Sequence, residues 1–187
     1  MDILRIDSPS HSLYETFALL YADSFPLHEQ RTEDQQQEAF SDDRYRLYAF
    51  MEDGRFVGFI SCWLFGDYVY VEHFAVVKNE RGRGTGSRIM KMFQQKAACT
   101  VILEIDPVCD ELTTRRMNFY IRCGFCLNSH AHVHPPYRRG YAAHSLTLMT
   151  WPHVIDFATY AVFADDLRRV VMRSAADANN VKQDTEA

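Results

Sequence analysis

Residues 68–93 read YVYVEHFAVVKNERGRGTGSRIMKMF, and this stretch organises the whole chain. Its first half is crowded with Tyr, Val and Phe, which suit a pleated, half-buried strand. The strand breaks at Asn79-Glu80 and gives way to Arg81-Gly82-Arg83-Gly84-Thr85-Gly86. From Ser87 to Ala98 the spacing predicts a helix, with Ile89, Met90 and Phe93 on one side and Arg88, Lys91 and Gln95 elsewhere. A strand, a glycine turn and a helix in this order aim backbone N–H groups at an anion. Glycines allow close approach, and the helix start adds unpaired donors and the positive end of its dipole. Arg81 and Arg83 supply formal charge. The reading is a pyrophosphate cradle; the plainer alternative is a surface turn.

Two other phosphate loops do not fit. A Walker loop requires a Lys-Ser/Thr pair after its last glycine, and a dinucleotide fingerprint requires glycine where Ser87 stands.

Working outward, Ile3–Ile6 predicts a first strand and Ser12–Phe25 a helix with Leu13, Phe17, Leu20 and Tyr21 at helical spacing. Phe25-Pro26 ends it, since proline disfavours helix at the preceding residue. Thr32–Phe40 predicts a short polar helix with Thr32 as its cap. The connection Pro26–Arg31 is a candidate border of an active-site mouth. Arg44–Met51 and Arg55–Leu64 read as strands joined by the turn Glu52-Asp53-Gly54, and Gly66-Asp67 turns into residues 68–76. Downstream, Thr100–Asp106 is a compact strand closed by Pro107, and Asp110–Cys123 a helix with acidic residues first and arginines later, as its dipole prefers.

That helix ends Phe119-Tyr120-Ile121-Arg122-Cys123-Gly124-Phe125. Together with Arg81-x-x-Gly84-x-Gly86, one strand and one helix upstream, it resembles the GCN5-related N-acetyltransferase (GNAT) family over roughly residues 3–150. The resemblance implies an α/β fold: a single domain whose mixed, mostly antiparallel sheet is splayed near its middle and flanked by helices. It implies acetyl transfer from acetyl-CoA to a primary amine on a small molecule or peptide, directly in a ternary complex and without a metal. Phe74, Ala75 and Val76 would hydrogen-bond the pantetheine arm as an added strand does. Arg81, Gly82, Arg83, Gly84, Thr85, Gly86 and Ser87 would hold the pyrophosphate, with Arg122 in reach of a phosphate or only capping its helix. The chain departs from the pattern at Lys78, at Thr85, and at Thr113, where the family often has an asparagine that binds the cofactor arm.

Tyr120 is the candidate acid, because a phenol near its ordinary pKa can protonate a departing thiolate; the alternative is a packed aromatic at a helix end. Glu72 is the candidate base. Strand alternation puts it on one face with Tyr70, Phe74 and Val76 and turns His73 to the other; the alternative is a solvated or salt-bridged carboxylate. Glu104 lies within its strand with its direction open. His130, His132 and His134 alternate ahead of Pro135-Pro136, so they share a face if the strand runs through, and Tyr137–Gly140 reads as an exposed loop bearing on the acceptor. A non-catalytic acyl-CoA-binding sensor is the competing function.

A net charge of −5 argues against nucleic acid as a partner. No apolar run approaches ~20 residues and no charged-then-apolar leader opens the sequence, so a cytoplasmic protein with no membrane partner is expected. The five cysteines read as free thiols; Cys123-Gly-Phe-Cys126 followed by His130, His132 and His134 matches no common zinc spacing. Trp151-Pro152 marks a boundary between a domain over 1–150 and an extension over 151–187. A helix over His153–Arg173, with Ile155, Ala158 and Val162 inward, would pack on the domain or build a homodimer contact. A polar, frayed tail follows from Ser174.

Overall fold

The structure, a computed structural model, describes residues 1–175. β1 (Asp2–Ile6), β2 (Tyr45–Glu52), β3 (Arg55–Phe65) and β4 (Tyr68–Val76) pair antiparallel in sequence order. β4 then pairs in parallel with β5 (Thr100–Ile105), and β5 antiparallel with β8 (His144–Trp151). Short β6 (Cys126–Leu127) and β7 (His132–His134) join successive parts of β8. This is an open, mixed, mostly antiparallel sheet with helices on both faces.

Each face carries its own apolar cluster. α1 (Tyr14–Ser24), α2 (Glu33–Phe40) and α5 (Phe157–Asp166) cover one face, where Phe17, Tyr21 and Phe163 meet Phe59, Trp63, Tyr70 and Leu148. α3 (Thr85–Ala97) and α4 (Glu111–Arg122) cover the other, where Ile89, Met90, Phe93 and Tyr120 meet Ile60, Val71, Leu103 and Met149. α2 begins with a reciprocal capping box between Thr32 and Gln35, which satisfies two otherwise orphaned N–H groups.

The sheet opens at its centre. The β4–β5 ladder runs only from Tyr68–Val71 against Thr100–Leu103. Beyond it β4 continues to Val76 against β3 and β5 continues to Ile105 against β8, so the two strands part around a cleft. At the same point β4 bulges. Cys62 faces Val71 and Ser61 faces His73, which leaves Glu72 as the extra residue.

The bulge corrects the expected alternation. Glu72 meets Trp63 and Tyr137, and His73 packs on Tyr21, Phe25 and Tyr137, so both side chains lie on the α1 face. Phe74 and Val76 pack into the opposite cluster, with Phe74 stacked 6.1 Å from Phe119. An inserted residue shifts the two-residue period by one, and every side chain after it changes face.

The segment after Trp151 is also built differently from the sequence reading. The helix begins at Phe157, not His153, with the Asp156 carboxylate accepting from Thr159 N at 2.8 Å. It widens into a π turn over Leu167–Val171. Its buried side chains are Phe163, Leu167, Val171, Met172 and Ala175, all in the α1-face core, whereas Val162 is exposed. The expected frayed tail lies, from residue 176 onward, outside the described residues.

Arg31, at the end of the α1–α2 connection, is only 4% exposed at its side chain and reaches Glu72, which is fully buried, at 2.7 Å. Arg31 Nη2 also donates to the Val171 carbonyl at 2.8 Å, and the guanidinium lies 5.4 Å above the Trp63 ring. Burial alone would raise the Glu72 carboxyl, but Arg31, His73 and the Trp63 N–H together hold it below the ordinary range.

Two stability predictions follow from this packing. Phe163→Ala should cost about 3–5 kcal/mol in urea unfolding, as truncation of a core aromatic does; a cost near zero would show that α5 does not belong to the core. Glu72→Gln should cost about 3–5 kcal/mol, because it strands the Arg31 charge out of water. Since the folded carboxyl is depressed, the pair's contribution is full above the unfolded-state carboxylate range and is lost as pH falls through the lower folded value. The gap between wild type and Glu72→Gln should therefore narrow below about pH 4.

Candidate active site

A cavity of about 280 Å³ fills the opening between β4 and β5. Its walls include Glu72–Val76 from β4, Leu103–Ile105 from β5, Tyr120 from α4, Glu29 from the α1–α2 connection, and His134, Tyr137 and His144 from the segment around β7 and β8. The β4 edge that faces the cavity has no strand partner beyond Val71, so its backbone groups are available to an extended ligand. Phe74, Ala75 and Val76 line this edge.

At one end the cavity meets the glycine loop. Gly82 and Gly84 take left-handed conformations, φ +76° and +79°, that would strain any other residue. The amides of Gly82, Arg83 and Gly84 make no backbone hydrogen bond among the described residues, and Gly84 is the cap from which α3 starts. Gly86 serves packing instead: a Cβ there would sit 3.4 Å from Phe119 and 3.5 Å from Val76. The residues gathered here point different ways. Arg83 and Ser87 are exposed, while Thr85 is fully buried and donates to Glu80 at 3.2 Å, so only its backbone faces the loop. Arg81 folds back on the strand, donating to the Val76 carbonyl at 2.9 Å and to Ser24 Oγ at 3.4 Å. Arg122, the last residue of α4, is exposed.

Thr113 is brought to the start of α4 and used there. Its hydroxyl accepts from the amides of Cys109 and Asp110 and donates to Asp110, forming the helix's own capping box. A cofactor would have to compete with that cap.

Tyr120 sits where α4 stops. Phe125 N donates to the Tyr120 carbonyl at 3.0 Å and Gly124 N to the Ile121 carbonyl at 2.9 Å, with Gly124 at φ +86°, a Schellman ending that fixes the last turn. The ring packs edge-on against Phe119 and Phe125 and borders the cavity. Its hydroxyl makes no hydrogen bond among the described residues. Burial raises its pKa, opposed by Arg116, so it holds its proton firmly.

The α1-face end of the cavity is polar and tightly knit. Both Glu72 oxygens are taken, Oε1 by Arg31 and by Tyr137 Oη at 3.1 Å, Oε2 by Trp63 Nε1 at 2.8 Å. His73 is likewise committed: Nε2 lies 2.9 Å from the Glu29 carbonyl and Nδ1 3.3 Å from Ser61 Oγ. Burial, more than the neighbouring charges, depresses its pKa.

A second carboxylate, Glu104, occupies β5 beside it. It accepts from Tyr70 Oη at 2.6 Å and pairs with His132, and His134 Nε2 stands 3.7 Å from its Oε2. Burial would raise this carboxyl, but His134, His132 and Tyr70 outweigh it and hold it low. His132 and His134 do share a face; His130 does not belong to that strand and stacks on Tyr160 at 4.5 Å. The interruption is made by Asn128, whose side chain binds Thr150 and the Ile155 amide. Arg31, Tyr137 and His134 were not named as catalytic or cofactor-binding residues from sequence; the signals that pointed this way were the alternation of histidines, the connection ending at Arg31 and the loop starting at Tyr137.

Among the described residues no group of three or more His, Cys, Asp or Glu is placed to hold a metal ion, and no helix is long and apolar enough to cross a membrane. A comparison with curated protein sequences gives no significant match. Among solved structures, a protein from Bacteroides thetaiotaomicron assigned as a GNAT-family acetyltransferase is 27% identical, with a TM-score of 0.86 over 92% of this chain and 98% of that one. An aminoglycoside 6'-N-acetyltransferase complexed with coenzyme A shares the fold at 16% identity and TM-score 0.58, over 80% of this chain and 96% of that one. A spermidine N-acetyltransferase variant from Vibrio cholerae does so at 11% and 0.60, over 80% and 94%. The model of the acetyltransferase (GNAT) family matches residues 11–125, well over half of the 187-residue sequence, and the chain belongs to that family.

Proposed function

We propose that this protein transfers an acetyl group from acetyl-CoA to a primary amine, directly, with both substrates bound in the β4–β5 cleft. The single observation that carries the reading is the unpaired edge of β4 ending in a loop of free amides at the start of α3. Phe74–Val76 would pair with the pantetheine arm as an extra strand, and the amides from Gly82 to Ser87 would take the pyrophosphate. Arg81 would have to leave the Val76 carbonyl to join them. Arg83 and Arg122 are free to approach phosphate from solvent.

Tyr120 is the proposed acid. A hydroxyl that is buried, protonated and without a protein partner, on the wall of the cavity, suits donation to a thiolate formed there. Glu72 is assigned here to the scaffold: with three donors on its two oxygens and its carboxyl held low by Arg31, it is a poor acceptor for a substrate proton. The acceptor is an amine, the substrate class that the spermidine and aminoglycoside enzymes of this fold also use.

A sensor that only binds acyl-CoA would need the edge and the loop but not Tyr120. In a thiol-release assay with acetyl-CoA and a panel of polyamines, aminoglycosides and short peptides, the wild type should turn over at least one amine. Tyr120→Phe should lower kcat by about 100-fold or more while calorimetric CoA affinity stays within about twofold. Unchanged turnover would remove Tyr120 from the chemistry; CoA binding without turnover of any amine would favour the sensor.

A further inference from the structure

We infer that His134 is the base that deprotonates the acceptor, and that His134 and Glu104 together form the amine-receiving site; this rests on the acetyltransferase reading above. His134 is 2% exposed. Its Nδ1 lies 2.6 Å from the carbonyl of Pro135, a contact only an N–H can make favourably, so the proton sits on Nδ1 and Nε2 presents its lone pair. Nε2 has no hydrogen-bond partner among the described residues, and the side chain borders the cavity. Two other polar groups of this wall are spoken for, Glu72 by Arg31 and His73 by Glu29 and Ser61, and His132, which does not line the cavity, is held by Glu104 and Tyr160.

The 3.7 Å between His134 Nε2 and Glu104 Oε2 is too long for a hydrogen bond and suits one shared donor. An ammonium group about 2.8–3.0 Å from each would give one N–H to the imidazole and one to the carboxylate. The acceptor enters as R–NH3+ and passes one proton to Nε2, and Glu104 stabilises the imidazolium that forms. The freed R–NH2 makes the new C–N bond to the acetyl carbon as the C–S bond breaks. Tyr120 protonates the departing CoA thiolate, and the second proton shed by the nitrogen returns through water to the Tyr120 oxygen. One proton, that on His134, is released for each acetyl group transferred.

Several titratable groups face His134. They are Glu104 from β5, His144 from β8 with its ring centroid at 5.8 Å, Tyr137 stacked at 5.0 Å, His73 from β4 and Glu29 from the α1–α2 connection. His144 is kept neutral by burial and then by His134 itself, so Glu104 is the counter-charge that matters.

The experiment is the pH profile of kcat/KM for the best amine found in the thiol-release panel, with CoA affinity measured in parallel. Wild type should show an acid limb of unit slope. His134→Gln should lose that limb and fall about 100-fold or more at neutral pH, with CoA affinity kept. Glu104→Gln should move the limb to lower pH, because the imidazolium loses its counter-charge; a merely structural role would leave the limb in place. Nitrogen NMR of labelled wild-type protein reports the tautomer whether or not the variants fold, and a neutral ring protonated at Nε2 overturns the assignment. So does a His134→Gln enzyme with wild-type rate and limb, even though CoA binding and amine turnover by the wild type would leave the acetyltransferase reading intact. If the wild type acetylates no amine at all, that reading falls first and takes the base with it.

Discussion

The buried ion pair between Arg31 and Glu72 is the constraint on which the site depends. Removing a guanidinium and a carboxylate from water costs several kcal/mol each, and only close pairing with further hydrogen bonds offsets it. Here the offset comes from four separate parts of the chain. The α1–α2 connection supplies Arg31, the β4 bulge Glu72, the strand next to it Trp63, and the loop after β7 Tyr137, while Arg31 Nη2 also donates to the Val171 carbonyl and Arg31 Nε is left without a partner among the described residues. The pair is therefore weak as a source of stability and strong as a source of register. If any one segment shifts, a charge is left without a partner in an apolar interior.

That register is what shapes the cleft. The inserted Glu72 turns His73 to the same face, and His73 then pins the Glu29 carbonyl, bringing the α1–α2 connection to the rim of the cavity. After the bulge Phe74 and Val76 turn toward α3 and α4, so this half of β4 is backed by Phe119 and the glycine loop. One irregularity thus separates the strand into a part whose polar side chains join the α1 face and a part that packs on α3 and α4. The two apolar clusters on either face of the sheet serve these halves separately.

How much of this could be read from sequence follows the range of the interactions involved. The strand–loop–helix unit, the capping of α2 by Thr32 and the Schellman ending at Gly124 are local, and local chemistry is written in adjacent residues. Alternation places Glu72 with Tyr70 correctly but not with Phe74 and Val76, nor His73 opposite it, because alternation presumes an unbroken ladder and the bulge appears only when β3 and β4 are paired. The 40 residues between Arg31 and Glu72 hide their partnership entirely. The inward face of α5 was misread for a related reason: Phe163, Leu167 and Val171 recur every four residues through a π turn, and a search at helical period favours Ala158 and Val162 instead. His132 and His134 were visible as an alternating pair, but Glu104, which gives them a purpose, lies in another strand.

Two neighbouring strands each bring a buried glutamate to the same cavity, and the difference between their partners decides their roles. Glu72 is matched to arginine, which stays charged at any working pH, so the pair is fixed and has nothing to exchange. Glu104 is matched to histidines, His132 paired with it and His134 standing 3.7 Å from its Oε2. Both carboxyls are held low and both are buried, and both have a histidine beside them; His73, next to Glu72, has its two nitrogens on Glu29 and Ser61, whereas His134 keeps Nε2 without a partner among the described residues. The expectation of a base at Glu72 rests on strand alternation toward the cleft. In the reading proposed above that role passes to His134 on β7, which borders the same cavity, while Glu72 holds the register of β4.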